Sequence, residues 1–422
     1  MCPTAGVAGV KRRGSASMHA GRLLMLGGSM RAVARTEVSD TLRIAFVTDT
    51  FDGAVSGGTR SAVRFVEALR DGHDVVVVTT GGEEQPARRV LPGFQLPVRA
   101  MRASGFTMAF PRRSTLEAAL DGADVVHLQF PFWLSFAALA RARRAHIPVV
   151  AAFHVQPENL LLNVGLRSRP ISDAMYRFWV RRLYNRADAV VCPSPFAEDK
   201  LRSHGLTAPA FVVSNGISPA IRRRRLPREP HHEGTFVVLM VGRLAPEKRH
   251  DLMFEALARA KHRDRIRLVV AGAGPRERQL RRAAARLPHP PEIGFVSDRR
   301  LERLYNTADL LVHCSEVELE GMAVLEAMSC GLPVLVADSP ESAASDLALG
   351  PEFRFASGDA ADLASHLDFQ VEHPGALTAA RDRTWAMARD YAFEASVARL
   401  VDVYRHVLRR DAAAPSRVAA AG

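Results

Sequence analysis

Runs of apolar residues alternate with amphipathic stretches through the first half of the chain. The runs are continuous and rich in aliphatic side chains, which is typical of strands buried on both faces of a parallel sheet. Residues 135–144 and 172–186 instead space their apolar side chains as a helix does. This alternation predicts a doubly wound parallel α/β sheet. Its predicted strands cover residues 43–48, 73–80, 124–128, 147–153, 189–192 and 210–213.

A second series of the same kind follows residues 217–234, which break the pattern with three prolines, an arginine run and two histidines. We expect that segment to be a linker between two α/β halves of similar size. A last helical pattern, 392–408, places apolar side chains on one face. The second series of predicted strands covers residues 236–241, 267–271, 292–296, 310–313 and 334–337.

The composition limits the class of protein. With 422 residues and 47% apolar side chains, the chain is long enough for two or three domains. No apolar run approaches the ~18–20 residues that a membrane-spanning helix needs. The four cysteines show neither metal-site spacing nor a disulfide framework, which predicts a cytoplasmic protein.

The net charge of +12 is concentrated outside the predicted folded halves. Residues 1–40, 217–234 and 405–422 together carry +10 of it. A nucleic-acid-binding protein concentrates basic residues on its folded surface. The charge distribution therefore argues against a nucleic-acid partner.

An acidic turn near residue 320 is the most informative candidate site. Glu318 and Glu326 flank Gly321, between a strand at 309–313 and another at 333–337. Backbone N–H groups at the start of a helix bind anions, and carboxylates accept hydrogen bonds from hydroxyls. The turn therefore suits a nucleotide sugar. Taken alone, it is also compatible with a solvated acidic loop.

Three further turns lie after predicted strands. Gly57 and Gly58 would let the backbone approach a phosphate before a helix, or they form an ordinary flexible turn. Arg243 and Lys248 could hold a diphosphate, or they are a solvated pair at a helix start. The third turn is Ser214-Asn215-Gly216, at the end of the first half.

In their order and spacing, these motifs resemble glycosyltransferase family 4, whose members are retaining enzymes of the GT-B fold. The resemblance covers roughly residues 43–408. It implies two facing Rossmann-like doubly wound domains, with the C-terminal helix packing back on the N-terminal domain. The implied divisions are a disordered arm 1–40, an N-terminal domain 41–216 with a returning helix 391–410, a linker 217–234, a nucleotide-sugar-binding domain 235–390 and a disordered tail 411–422.

The resemblance also assigns roles to individual residues. Glu326 is expected to accept hydrogen bonds from the donor ribose, and Glu318 to contact the donor sugar together with backbone amides. Arg243 and Lys248 would stabilise charge on the departing diphosphate. The predicted catalytic residues are His154, Arg243, Lys248 and Glu318; the predicted donor-binding residues are Gly57, Gly58, Asn215, Arg243, Lys248, Glu318, Gly321, Met322, Ala323 and Glu326; the predicted acceptor-side residues are Glu158 and Asn159.

No cofactor is expected. The chain has no Asp-x-Asp motif suited to a metal-held diphosphate, and the nearest acidic pair, Asp49 and Asp52, has a different spacing. We therefore expect turnover without a metal. The donor would be a UDP-sugar or a GDP-sugar, between which the sequence does not choose.

The acceptor is predicted from the narrower motif Glu-Leu-Glu-Gly-Met-Ala-Val-Leu-Glu at 318–326, which is similar to that of lipid-directed members such as diacylglycerol glycosyltransferases. Residues 99–113 and 167–186 add arginines and apolar side chains that could sit on an anionic membrane. Alternatively, the apolar residues of 167–186 pack into the N-terminal domain. We expect a hexosyltransferase acting on a diacylglycerol or phosphoinositide, peripheral at the inner face of the cell membrane. A soluble sugar, cyclitol or glycan acceptor, and a GT-B-like epimerase, are the alternatives.

Overall fold

The computed structural model describes residues 39–52, 57–95 and 106–413, and its first sheet is parallel throughout. Seven strands lie in the order β3-β2-β1-β6-β7-β8-β9. A short antiparallel pair, β4 and β5, lies beside it. The strands are β1 Arg43–Thr50, β2 Asp74–Thr80, β3 Arg88–Leu91, β4 Gly93–Phe94, β5 Met108–Ala109, β6 Val125–Leu128, β7 Val149–Ala152, β8 Ala189–Cys192 and β9 Ala210–Val212.

Helices cover both faces of this sheet, as a parallel sheet requires. One apolar cluster fills the space between the sheet and helices α2, α3, α5 and α6, and a second lies on the opposite face under α1. These helices are α1 Gly57–Arg70, α2 Arg113–Leu120, α3 Trp133–Arg144, α4 Pro157–Asn163, α5 Arg169–Arg182 and α6 Pro195–Ser203.

The second half contains a parallel sheet of six strands in the order β12-β11-β10-β13-β14-β15. Apolar clusters again lie on both of its faces. The strands are β10 Phe236–Val241, β11 Ile266–Ala271, β12 Glu292–Gly294, β13 Leu310–His313, β14 Val334–Asp338 and β15 Arg354–Ala356. The helices are α7 His250–Arg259, α8 Glu277–Ala284, α9 Asp298–Thr307, α10 Met322–Ser329, α11 Ala360–Glu372 and α12 Pro374–Ala388.

The last helix, α13 Phe393–Ala413, returns to the first half. Leu400, Tyr404 and Val407 are buried there with strand residues such as Ile44 and Phe46. The chain thus crosses between the halves twice, and the crossings touch because Ile217 N donates to Tyr391 O at 2.8 Å. This packing is the one predicted for the C-terminal helix.

The segment predicted as a linker packs along the second half. Ile217 and Ile221 are buried in a cluster of that half, and Arg228 pairs with Asp309 at 2.7 Å. A 3₁₀ turn, Pro230–His232, precedes β10. The linker is therefore held by side-chain contacts over much of its length.

Several elements differ from the sequence-based expectation. The pattern did not predict β3, β15 or the β4–β5 pair, which are short and partly exposed. Helix α13 continues to Ala413, three residues into the predicted tail. Residues 1–38 and 414–422 lie outside the described residues, as do Ser56, which precedes Gly57, and residues 99–105 of the arginine-bearing segment 99–113. None of the described helices has the length and apolar character that a bilayer crossing requires.

Each sheet reverses its strand order once. The reversal falls between β1 and β6 in the first sheet and between β10 and β13 in the second. In open α/β sheets, ligands bind beyond the carboxyl ends of strands at such a reversal. The loops and helix starts that follow three of these strands, β1, β10 and β13, carry most of the predicted site residues.

Candidate active site

A glycine in a left-handed conformation begins the helix of the acidic turn. Gly321 has φ of +86° and directly precedes α10. Val324 N and Leu325 N donate to Gly321 O, at 2.9 and 3.0 Å. Met322 and Ala323 occupy the first turn, where a helix leaves its N–H groups without intrahelical partners. The predicted amide donors are therefore oriented as an anion or hydroxyl site would need.

Glu318 lies against two groups that favour its ionised form. Lys248 Nζ donates to Glu318 Oε2, and His313 Nε2 lies 3.4 Å from the same oxygen. Burial by itself would raise the pKa of Glu318, but Lys248 and His313 together hold that pKa well below its usual range. Glu318 is therefore a fixed anion at neutral pH, and Lys248 is positioned by it.

Arg243 lies beside Lys248 in the loop after β10. Its Nη2 donates to Glu247 Oε1 at 2.9 Å and to Asn163 Oδ1, across the cleft in α4, at 3.2 Å. Glu247 is buried, and its Oε2 has no hydrogen-bond partner among the described residues. Each member of the predicted diphosphate-binding pair is thus held in place by a carboxylate: Arg243 by Glu247 and Lys248 by Glu318.

Three glycines that were not predicted as site residues shape this loop. Gly242 has φ of +148°, and a Cβ atom on Gly272 would overlap the carbonyl oxygen of Gly242. A Cβ atom on Gly274 would lie 2.6 Å from Leu244 N. The two segments therefore pack backbone against backbone, which only glycine permits. The Ala-Gly-Ala-Gly-Pro run at 271–275 was the available signal.

Glu326 projects from α10 toward the first half. Tyr305 OH donates to its Oε2 at 2.9 Å. Burial raises the pKa of Glu326, although Tyr305 and the nearby guanidinium groups of Arg64 and Arg60 oppose that rise. Both arginines belong to α1 of the first half, so Glu326 faces the cleft between the halves.

A third carboxylate of the acidic turn, Glu320, was not among the predicted site residues. It is buried and accepts hydrogen bonds from Ser214 Oγ, from Asn215 N at 3.1 Å and from Asn215 Nδ2 at 2.6 Å. Burial raises the pKa of Glu320 to about 7 in spite of these donors. Its position between Glu318 and Gly321 was visible in the motif, but its partners lie more than a hundred residues away.

Asn215 was predicted to bind the donor, and the structure gives it partners within the protein. Besides Glu320, Asn215 Oδ1 accepts from Ser61 Oγ, and Asn215 O accepts from Arg64 Nη2 at 2.6 Å. Gly216 O accepts from the same nitrogen at 2.6 Å. The residue therefore connects α1 to the acidic turn, and a direct donor contact remains a prediction.

The first half contributes a glycine turn and a histidine to the opposite side. Gly57 and Gly58 begin α1, and a Cβ atom on Gly58 would lie 3.0 Å from the ring of Phe130 and 3.5 Å from His154 Cβ. Burial lowers the pKa of His154 to about 4, so its imidazole is neutral at pH 7. His154 and the glycine turn are thus adjacent.

A chain of neutral hydrogen bonds runs behind this turn. Tyr404 OH donates to His127 Nδ1 at 2.9 Å, His127 Nε2 donates to Gln129 Oε1 at 3.1 Å, and Gln129 Nε2 donates to Gly58 O at 3.2 Å. Because Gln129 donates through its amide nitrogen, its oxygen is the acceptor, which sets the tautomer of His127. The returning helix is thereby connected to the glycine turn. His127 is therefore a structural residue.

The two acceptor-side predictions differ in their surroundings. Glu158 Oε2 accepts from Tyr176 OH at 3.0 Å, which fixes it against α5. Asn159 Oδ1 is buried and has no hydrogen-bond partner among the described residues. Asn159 therefore retains hydrogen-bonding capacity at the start of α4, whereas Glu158 is already engaged.

Contacts between the halves bring the predicted residues into one cleft. Ser194 Oγ donates to Leu319 O at 2.5 Å, and Gln156 Nε2 donates to Glu341 O at 3.1 Å. Glu341 O also accepts from Glu318 N at 3.1 Å. The segment that carries His154 therefore lies opposite the acidic turn.

Comparison with known proteins shows the same division into two halves. The family model described as Glycosyltransferase Family 4 matches residues 55–221, and the model described as Glycosyl transferases group 1 matches residues 222–382. Together they cover every strand of both sheets except β1, which ends before residue 55.

Two curated proteins and one solved structure illustrate the similarity. A GDP-mannose-dependent alpha-mannosyltransferase of Mycolicibacterium smegmatis is 31% identical over 71% of this chain and 80% of its own length. An alpha-monoglucosyldiacylglycerol synthase of Streptococcus pneumoniae is 27% identical over 71% of this chain and 72% of its own length. The crystal structure of Anabaena HepE in complex with UDP-glucose, 18% identical, covers 86% of this chain and all of that one with a TM-score of 0.67. This last likeness confirms the predicted GT-B fold.

Proposed function

The chain belongs to glycosyltransferase family 4, and we propose that it transfers a hexose, with retention of configuration, from a nucleoside diphosphate sugar to a hydroxyl of a membrane lipid. The observation that carries the donor half of this proposal is the paired placement of Lys248 with Glu318 and of Arg243 with Glu247 beside the start of α10. That arrangement offers cations to a diphosphate and carboxylates to sugar hydroxyls within one turn.

The donor is proposed to lie on the second half. Lys248 and Arg243 bind the diphosphate, Glu326 accepts from the ribose, and Glu318 accepts from the hexose. A diphosphate would compete with Glu318 for Lys248. Sugar hydroxyls would then donate to Glu318 in place of the ammonium group. The amides of Met322 and Ala323 add neutral donors.

Transfer is proposed to proceed on one face of the sugar. The bond from the anomeric carbon to the diphosphate oxygen breaks as the acceptor oxygen bonds to that carbon, and the acceptor proton passes to the departing phosphate. Lys248 and Arg243 stabilise the charge that develops there, the task on which one well-placed donor commonly contributes 10²–10³-fold. His154, neutral at pH 7, can hydrogen bond to the hexose without placing a second charge beside it.

We propose that this transfer needs no metal. The nearest acidic pair is unsuited to holding one, since Asp49 is buried and accepts from Ala109 N at 3.0 Å, and Asp52 pairs with Arg88 at 2.7 Å. The cationic role falls instead to Lys248 and Arg243. Equal rates with Mg²⁺ and with EDTA would support this assignment.

A surface of the first half supports a lipid acceptor. Phe110, Trp133 and Phe178 are each about half exposed. The rings of Phe110 and Trp133 meet edge to face at 5.3 Å, and Phe178 packs on Phe136 of α3 at 5.6 Å. We call Phe110, Trp133 and Phe178 the aromatic surface. Exposed aromatic rings of this kind are favoured where protein meets the membrane interface.

Arginines accompany the aromatic surface. Arg112 adjoins Phe110, and Arg177, Arg181 and Arg182 are exposed on α5 without a carboxylate partner among the described residues. Trp179 and Leu183 are buried, so the predicted stripe on this segment packs inward in part while Phe178 faces out. Each cation near an anionic membrane contributes about 1 kcal/mol. We propose that this surface binds the inner face of the cell membrane.

The proposed function is tested by offering several nucleotide-sugar donors with lipid acceptors and with soluble acceptors. Labelled UDP-, GDP-, ADP- and dTDP-hexoses would be offered with diacylglycerol or phosphatidylinositol in vesicles, and separately with free glucose and inositol phosphate. We expect one nucleotide to support transfer to a lipid. Transfer confined to the soluble acceptors would replace the lipid proposal while leaving the glycosyltransferase assignment intact.

Trp133→Asp tests the aromatic surface, with Trp385→Asp in α12 as the matched control because Trp385 is also partly exposed. We expect only Trp133→Asp to reduce co-sedimentation with anionic vesicles and transfer to lipid. Nucleotide binding should be equal in both. Equal loss of vesicle binding in the two variants would contradict the proposed surface.

A further inference from the structure

Two histidines and two glutamates meet where the linker joins the second half. They are Glu229, His231, His232 and Glu292, and we call them the linker cluster. Each residue offers one potential metal-ligand atom, and these four atoms lie within 4.8 Å of one another. The three linker residues belong to the 3₁₀ turn at 230–232 or directly precede it, and Glu292 begins β12. The cluster is thus at the amino ends of the strands, opposite the donor loops.

The candidate ligand atoms of the linker cluster lie at distances close to those of a metal site. His231 Nε2 and His232 Nε2 each lie 2.9 Å from Glu292 Oε1. Glu229 Oε2 lies 3.7 Å from His231 Nε2. Ligand atoms around tetrahedral zinc, with bonds of ~2.0–2.2 Å, are about 3.3–3.5 Å apart. The observed separations bracket that spacing, so small side-chain movements would complete a tetrahedral set.

Arg300 orients the carboxylates from outside. Its Nε and Nη2 donate to the two oxygens of Glu229 at 2.9 and 2.8 Å, and Nη2 also donates to Glu292 Oε2 at 2.6 Å. Glu292 Oε1 is left to the histidines. Carboxylates bound to metals are commonly held by such outer hydrogen bonds. One guanidinium against two carboxylates leaves the cluster with an excess of negative charge.

The burial of the cluster is graded. The His232 side chain is 3% exposed and that of Glu229 is 13% exposed, whereas His231 is 58% exposed. The ligand atoms of His232 and Glu229 are therefore shielded from water, while the exposed side chain of His231 leaves a route by which an ion could enter.

We propose that the linker cluster binds a divalent transition-metal ion, of which Zn²⁺ is the best match. Imidazole nitrogen with carboxylate oxygen suits zinc and its neighbours in the first transition row, whereas Mg²⁺ and Ca²⁺ prefer oxygen ligands alone. Three ligands come from the linker and one from the edge strand β12. The ion would therefore fasten the linker to the second half, and it has no part in the transfer chemistry.

The experiment uses the full chain without an affinity tag, freed of metal with EDTA and then dialysed. We expect calorimetry with ZnCl₂ to show saturable binding of one equivalent and the melting temperature to rise with zinc. Co²⁺ should give the visible bands of a tetrahedral site. MgCl₂ should produce neither effect.

His231→Ala is the main variant because its side chain is exposed and its loss should leave the fold intact. We expect it to weaken zinc binding at least tenfold. His289→Ala is the matched control, since His289 is a partly exposed histidine of the same half that lies 3.7 Å from a carboxylate, that of Asp264. Glu292→Gln supplies a second variant with the same expected loss.

Absence of saturable zinc binding by the wild type would overturn the proposal. Binding of undiminished affinity in both His231→Ala and Glu292→Gln would also overturn it, because the ion would then lie elsewhere. Mg²⁺ binding as strong as that of zinc would contradict the ligand class. None of these readouts depends on transfer activity, so the outcome is independent of the proposed function.

Discussion

The acidic turn and the aromatic surface use charge in opposite ways. In the turn, Lys248 lies on Glu318 and Ser214 donates to Glu320. Beside the aromatic surface, Arg177 and Arg181 of α5 are exposed and lack a carboxylate partner among the described residues. Charges fixed by internal partners suit a small ligand that must be held in one geometry. Charges left in water suit a broad partner, such as a membrane, that needs attraction without exact placement.

Removing a cation from the acidic turn should have the largest effect. Lys248→Ala removes the cation proposed to stabilise the departing diphosphate, and we expect kcat to fall by about 10²–10³. The measurement is initial rate with saturating donor. Lys200→Ala is the matched control, because Lys200 also pairs with a glutamate, Glu341, and its side chain is 18% exposed, as is that of Lys248.

Both lysine variants should lose similar stability, since each leaves a half-buried carboxylate without its cation. Only Lys248→Ala should lose transfer. Comparable losses of kcat in the two variants would mean that the acidic turn needs intact ion pairs for its structure and not a cation for its chemistry.

Two neighbouring carboxylates should respond to pH in opposite directions. The pKa of Glu320 is raised from 4.5 to about 7 by burial, so the folded state binds more protons than the unfolded state between those values. Its contribution to stability is therefore complete below about pH 4.5 and is lost as the pH rises through about 7. The difference amounts to about 3 kcal/mol.

Glu320→Gln should remove this dependence, which urea unfolding from pH 4.5 to 8 would measure. Glu318→Gln is the contrasting variant. The pKa of Glu318 is held low by Lys248 and His313 against the effect of burial, so its contribution is present above about pH 4.5 and is lost as the pH falls below that. Parallel pH curves for the wild type and Glu320→Gln would contradict the assignment of the raised pKa to Glu320.

The exposed charges should show a smaller, salt-dependent effect. Replacing Arg181 and Arg182 together by Gln removes two cations from α5, and we expect vesicle affinity to fall by about 2 kcal/mol, or roughly thirtyfold. Arg278→Gln with Arg282→Gln on α8 is the control, because that pair is also exposed but lies on the second half. The difference should vanish in high salt. Equal weakening in both double variants would indicate non-specific attraction.

The smallest effect should come from a neutral internal hydrogen bond. Tyr404→Phe deletes the hydroxyl that donates to His127 Nδ1 and keeps the ring packing. We expect a loss of about 1 kcal/mol in unfolding free energy. Since the chain of hydrogen bonds ends at Gly58 O, the donor KM is the second measurement. An unchanged stability would show that another group satisfies His127.

Sequence patterns predicted the central strands because both faces of a parallel strand are buried, which makes its apolar run continuous. Strand β10 begins and ends where the pattern placed it, and β1 and β2 differ by two residues or fewer at each end. The edge strands β3 and β15 have few buried residues and therefore no such run. The predicted site residues lie in the loops and helices that directly follow strands, which is where open α/β sheets bind ligands.

The side chains that individual residues contact in the folded protein were harder to predict. Asn215 was assigned to the donor from its motif, but it bonds to Glu320, 105 positions along the chain. The linker was assigned from its prolines and arginines, but it carries three members of the linker cluster and side chains packed on the second half. A local pattern contains no information about which distant side chain arrives beside it.

The sequence alone determined the two parallel sheets, the returning helix and the family, because these follow from apolar periodicity and from motifs whose residues are near neighbours in the chain. Only the tertiary structure decided that Lys248 meets Glu318 and that Glu320 is buried on Asn215. It also brought His231 and His232 onto Glu292. The state of a charged group depends on burial and on the nearest opposite charge, and both are set when distant segments pack together.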